Sequence, residues 1–256
     1  MTKKRVILLG ASNLARAISP TVATCQCFMG CPLEIYIAMG HGRSFGKDSR
    51  VLGRGLPSIN DCGLWDEIAK AQPLPTYALI TDVGNDIAYG YEVKDIKQWV
   101  ESCIKKLSEL SANIVLTRMP VERIARLSKR HYKIAKAILF PGHELTYEDA
   151  QSRLLEMDGI LQELGKKHGA AMADLPGSWY GIDPVHIKRS LHKEAFAEIL
   201  KVWSDSKMAE VNISSSLSRW VKLRIPRPHK WSFLGLERSN RQPAARLADG
   251  SRVWLY

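Results

Sequence analysis

The chain has 256 residues, of which 45% are hydrophobic and 25% charged, with a formal net charge of +11. Those are globular values: they leave room for one α/β domain with a modest appendage and exclude a disordered or fibrous protein. No run of eighteen uncharged apolar residues is present, so no membrane-spanning helix is expected. Val6 to Leu9 reads as a short buried strand, and Gly10-Ala11-Ser12-Asn13 as the turn that leaves it. Leu14 to Val22 opens a short helix broken near Pro20. Leu33 to Met39 is a second apolar strand running into Gly40-His41-Gly42-Arg43, and Lys47 to Gly63 reads as a long polar loop. Tyr77 to Thr81 is a third strand, followed by Asp82-Val83-Gly84-Asn85-Asp86. Ile96, Trp99, Val100, Cys103, Ile104 and Leu107 make a helical stripe within Val93 to Leu110, and Asn113 to Thr117 is a fourth strand. Helices are expected over Val121 to Ile138 and Tyr147 to His168, a fifth strand over Ala170 to Leu175, and a last helix over Ser190 to Trp203.

Continuous apolar strands alternating with helices predict a three-layer α/β/α domain around a mainly parallel five-stranded sheet, spanning residues 1–215. Ligands of such sheets bind beyond the carboxyl ends of the strands, and every polar motif above follows a strand. The remainder, 216–256, is a basic C-terminal extension: nine Lys or Arg stand against Glu237 and Asp249. Lys222 to Lys230 reads there as an extended linker. Asp249-Gly250 reads as the turn of a small hairpin. The apolar run after Met1 is too short for a signal peptide, so a cytoplasmic protein is expected. Five cysteines, an odd number, argue against a disulfide framework. Cys25, Cys27 and Cys31 cluster without a second zinc-like pair, so neither a metal nor a cofactor is expected.

Four short motifs carry chemistry, and each has an ordinary alternative. Ser12, on a tight turn between strand and helix, fits an exposed nucleophile, but Gly10 to Ala15 also resembles a dinucleotide-binding turn. Against the cofactor, the second strand ends in Met39-Gly40-His41 with no acidic residue to hold a ribose. Asp183-Pro184-Val185-His186 fits a carboxylate orienting a general base, or a helix cap beside a surface histidine. Asn85 fits an oxyanion donor or a plain turn residue. A glycine at 40 or 42 lets a backbone N–H approach a substrate oxygen.

Taken in order, Val6-Ile7-Leu8-Leu9-Gly10-Ala11-Ser12, Gly42, Val83-Gly84-Asn85-Asp86 and Asp183 to His186 resemble the blocks of the SGNH hydrolases, the superfamily that includes the GDSL esterases and lipases. Ala11 stands where that family usually has aspartate, and Val83 where it has glycine. The resemblance covers Arg5 to Trp203 and implies a flavodoxin-like fold and a serine hydrolase acting on a small acyl ester. It makes Ser12 the nucleophile, His186 the base and Asp183 its orienting carboxylate. The N–H groups of Ser12 and Gly42 and the Asn85 side chain would form the oxyanion hole, with Gly40 as a competitor for the second position. His41 and Arg43, with Arg50 and Arg54, fit either an anionic substrate group or a solvated basic loop, and Trp179 either a pocket wall or sheet packing. The alternative to an enzyme is a binding or assembly protein that meets RNA or an acidic surface through the basic arm. The oligomeric state is not legible in the chain.

Overall fold

The computed structural model describes residues 3–126, 128, 129, 145–181, 183–204, 213 and 216–256. The strands expected from apolar runs are all present: β1 (Lys4–Leu9), β2 (Leu33–Ala38), β5 (Thr76–Ile80), β6 (Asn113–Thr117) and β7 (Ala171–Ala173). They are joined in the parallel order β2-β1-β5-β6-β7. Side chains alternate across the sheet with the period of the pleat. Val6 and Leu8 of β1 enter one apolar layer with Leu33, Ile35 and Ile37 of β2, whereas Ile7 and Leu9 enter the other with Tyr36 and Ala38. Both faces are therefore covered, which is why these strands read as unbroken apolar runs.

The helices follow the same logic. α1 (Ser12–Arg16) and α2 (Ile18–Met29) replace the single broken helix expected there, and Pro20 is accommodated in the first turn of α2, where no N–H is needed. α3 (Leu64–Lys70), α4 (Gly84–Ala88) and α5 (Val93–Glu109) follow; the stripe Val93, Ile96, Val100, Cys103, Ile104 and Leu107 of α5 is buried. α6 runs over Val121–Ala125, and residues 127 and 130–138 of the helix expected to Ile138 lie outside the described residues. α7 (Tyr147–His168) is capped by the Thr146 hydroxyl, which accepts the Asp149 N–H, and ends at the left-handed Gly169. The last helix of the body is shorter than expected: α8 spans His192–Ile199, with a 3₁₀ turn on either side.

Three expectations need correction. The main sheet has seven strands, not five, because β10 (Ala245–Arg246) and β11 (Arg252–Leu255) extend it beyond β2. The Asp249-Gly250 hairpin does form, but β11 also pairs in parallel with β2, and Trp254 stacks on Tyr36 with ring centroids 4.5 Å apart. Val253 and Leu255 enter one apolar layer and Trp254 and Tyr256 the other, which gives this segment a reason to dock. Second, the stretch from Lys222 is not an extended linker throughout, since α9 (Leu217–Arg224) occupies its start with Ser216 as cap. Third, the polar loop from 47 to 63 contains β3 (Ser49–Val51) and β4 (Arg54–Leu56). With β8 (Lys230–Phe233) and β9 (Leu236–Ser239) they form a second sheet in the order β3-β4-β8-β9. Both of its hairpins turn on a Leu-Gly pair with positive φ, Leu52-Gly53 and Leu234-Gly235. Leucine is an unusual first residue for such a turn, so the sequence carried no hairpin signal there.

Candidate active site

The strand-end turns meet at one place. Gly10 closes β1 against β5 so tightly that a Cβ would lie 2.7 Å from the Thr81 methyl carbon, so only glycine fits. Two residues on, Ser12 begins α1, held by a residue that sequence reasoning passed over. Asp82 leaves β5 with φ +64°, a left-handed conformation that aspartate tolerates better than most side chains. Its carboxylate accepts the N–H groups of Ala11 (2.8 Å), Asn13 (3.1 Å) and Leu14 (3.1 Å). The Ser12 N–H is the one amide of this turn that donates to no acceptor among the described residues. The same carboxylate occupies the place a pyrophosphate would need, which argues against a dinucleotide turn.

Asn13 ties this turn to the last loop of the body. Its amide nitrogen donates to Asp82 (3.0 Å) and to the Val185 carbonyl (3.1 Å), while its oxygen accepts the Ile187 N–H (2.9 Å). His186 is thereby bracketed on both sides. Asp183 accepts the N–H groups of Val185 and His186 on one oxygen and meets His186 Nδ1 at 2.6 Å with the other. Burial pushes the Asp183 carboxyl up, but the hydrogen bonds from the His186 ring and the two amides outweigh it and set the carboxyl at about 2. The carboxylate is therefore ionised near neutrality and only accepts, so Nδ1 carries the proton. The Nε2 lone pair then faces Ser12 Oγ at 3.0 Å, and both residues are buried.

The loop after β2 completes the wall. Gly42 has φ +66°, and a Cβ there would lie 2.4 Å from Val51 and 2.5 Å from the Tyr89 hydroxyl, which donates to the Gly42 carbonyl at 2.7 Å. Asn85, on α4, donates one amide hydrogen to the Arg43 carbonyl at 3.0 Å. Asp86 accepts the Phe45 N–H at 2.9 Å; burial pushes its carboxyl up to about 6 against the hydrogen bonds from Ser44 and Phe45. Ser12, His41, Gly42, Asn85 and His186 all line one cavity of about 890 Å³. Gly40 does not line it, and its backbone packs under Leu56 instead, so Gly42 is the better placed of the two glycines.

Two expected substrate contacts are corrected. Arg43 is fully buried and donates to the carbonyls of Pro57, Met39 and Tyr256, so it braces the loop and the β11 end rather than facing the cavity. Trp179 packs in the apolar layer beside Tyr180 and Phe196, away from the cavity. In their place stand residues no motif marked: Arg16, which lies 3.8 Å from Asp183, and Arg227 and Trp231 from the C-terminal segment. Trp231 reaches this cavity on β8, which pairs with β4, and that pairing left no trace in the sequence. Among the described residues no group of three His, Cys, Asp or Glu is placed to hold a metal ion.

No family model matches the chain, and neither does any curated protein. Solved structures do resemble it. The psychrotrophic esterase EstA from Pseudoalteromonas sp., in a form inhibited by monoethylphosphonate, is 12% identical with a TM-score of 0.50, over 77% of this chain and 97% of that one. A GDSL-like lipase from Bacteroides thetaiotaomicron VPI-5482 is 11% identical with a TM-score of 0.50, over 78% of this chain and 87% of that one. At such identities the likeness is one of fold: the chain has the α/β fold of these GDSL-like and esterase structures, the one its sequence blocks implied.

Proposed function

We propose that the protein is a serine esterase that hydrolyses a small carboxylic ester through an acyl-enzyme on Ser12. The observation that carries this reading is the unbroken relay from Asp183 to His186 (2.6 Å) to Ser12 Oγ (3.0 Å), at the floor of a cavity. His186 Nε2 takes the Ser12 proton as Oγ attacks the ester carbonyl carbon, and Asp183 stabilises the imidazolium that forms. The oxyanion is met by the undonated Ser12 N–H, the Gly42 N–H and the second amide hydrogen of Asn85. Collapse of the tetrahedral intermediate breaks the bond to the alcohol oxygen, which leaves with the proton from His186. Water, deprotonated by the same nitrogen, then attacks the acyl-enzyme, and the carboxylic acid departs as Ser12 regains its proton. Asp82 and Asn13 are positioning residues here, since they fix the Ser12 turn and the His186 loop to each other.

Supporting an esterase rather than a binding protein acting through a free basic arm, β11 is a strand of the main sheet and Arg227 and Trp231 line the Ser12 cavity. The test is turnover of p-nitrophenyl butyrate by the wild type and by Ser12→Ala. A wild-type rate well above background that disappears in the variant, with an unchanged melting temperature, is expected. Equal rates in the two proteins would remove Ser12 from the mechanism.

A further inference from the structure

The upper wall of the cavity has a composition that ester hydrolysis does not require. Besides Arg16, which faces Asp183, three arginines line it: Arg50 and Arg54 from the β3–β4 hairpin, and Arg227 between Pro226 and Pro228. No aspartate or glutamate lines it, and none of these three has a carboxylate partner among the described residues. Trp231 lines the same cavity and packs against two of them, Arg54 and Arg227, and against Arg238 outside it. The guanidinium carbons of Arg54, Arg227 and Arg238 lie 5.7, 5.6 and 5.7 Å from its ring centroid. One indole thus organises three cations, which repel one another.

This arrangement is built rather than incidental. Gly55 pairs with Ser232 across the β4–β8 ladder, and a Cβ at 55 would lie 2.2 Å from the Ser232 hydroxyl oxygen, so glycine allows the close approach that sets Arg54 against Trp231. Arg54 is half-buried; its Nε and the Trp231 Nε1 are both shielded and have no hydrogen-bond acceptor among the described residues. Burial, then the charges of Arg227 and Arg43, hold the Arg54 guanidinium below its ordinary pKa. A solvated basic loop would spread its cations outward. Here they converge, at a cost that an incoming anion would offset.

We propose that the ester carries an anionic oxyacid group, carboxylate, phosphate or sulfate, which binds between Arg50, Arg54 and Arg227 beside the Trp231 ring while its ester carbonyl sits at Ser12. This rests on the hydrolase reading for the position of the carbonyl, but the anion site itself is separable from it. Arginine suits planar oxyanions because its donors form a fixed fork. The apolar side chains of Val51, Leu56 and Phe233 in the same cavity would cover the carbon chain between the two groups.

Two matched ester pairs test this and locate the anion. p-Nitrophenyl hydrogen glutarate against p-nitrophenyl valerate places it on the acyl side; 4-carboxyphenyl butyrate against 4-acetylphenyl butyrate places it on the alcohol side. At least one anionic ester is expected to exceed its neutral twin by about tenfold or more in kcat/KM, a preference that fades as salt is raised. The ratio should collapse toward one in Arg54→Gln and fall in Arg50→Gln, whose exposed side chain makes misfolding a poor explanation. Calorimetric binding of the same pairs to Ser12→Ala gives the preference without turnover. Preferential binding there with no hydrolysis by the wild type would sink the esterase and leave the anion site standing. Equal binding and equal turnover of both members of each pair, or a preference that survives in both arginine variants, would overturn the anion site.

Discussion

The floor and the upper wall of the cavity are made in opposite ways. On the floor, Ser12, His186 and Asn85 leave the main body at strand-end turns or short loops, and neighbouring side chains fix them: Asp82 takes three amides, and Asn13 bridges two segments 172 residues apart. The upper wall is a small sheet of three- and four-residue strands, with Leu52 and Leu234 exposed at its turns and arginines that have no carboxylate partner among the described residues. The contrast separates two tasks. On the proposed reading, bond-making geometry would rest on backbone that packing holds still, and recognition on side chains that the fold tolerates in many forms.

If that separation holds, variants of the two regions should fail differently. Beyond Ser12 itself, the largest effect is expected at Asn85→Ala, which would remove the proposed oxyanion donor: kcat for p-nitrophenyl butyrate should fall by about 10²- to 10³-fold with little change in KM. A rise in KM alone would move Asn85 from the transition state to ground-state binding. Asp82→Asn comes next, because an amide replaces a carboxylate that gathers four N–H donors. Urea denaturation should show a loss of roughly 2 kcal/mol, accompanied by a lower kcat as the Ser12 turn relaxes. An unchanged stability would mean that the turn is held by packing alone. The smallest effect belongs to the upper wall. Trp231→Ala should raise KM several-fold, roughly 1 kcal/mol, while kcat changes less than twofold. A large fall in kcat there would break the division between floor and wall.

The sequence made the floor readable and the wall opaque, for one physical reason. Buried parallel strands are apolar on both faces, so β1, β2, β5 and β6 stand out as runs, with the half-buried β7 at the sheet's edge, and the polar residues after them read as turns. Ser12, Asn85, Asp183 and His186 are candidates on that ground, each weak alone and stronger in order, and the structure joins Asp183, His186 and Ser12 in one hydrogen-bonded chain. Asp82 was missed because its role depends on a positive φ that its side chain does not advertise. Arg43 reads as exposed because it is a charged residue after a strand, yet it is buried with three backbone carbonyls accepting from its Nε and Nη1. The second sheet was invisible because its partners are separated by over 170 residues in the chain and its turns use leucine where asparagine or glycine would signal a hairpin. The C-terminal segment reads as a basic arm that ends in a small hairpin, but nothing in the hairpin's own sequence says that β11 pairs in parallel with β2 and joins the main sheet.

On the proposed reading, His186, oriented by Asp183, activates Ser12 and no other serine. Reaction with a fluorophosphonate, followed by intact-mass and peptide mass spectrometry, tests it directly, because phosphonylation requires an activated nucleophile but no knowledge of the natural substrate. One adduct is expected, on the peptide containing Ser12, formed rapidly by the wild type and lost in His186→Ala. No adduct, or an adduct on Ser12 that forms as fast without His186, would contradict it.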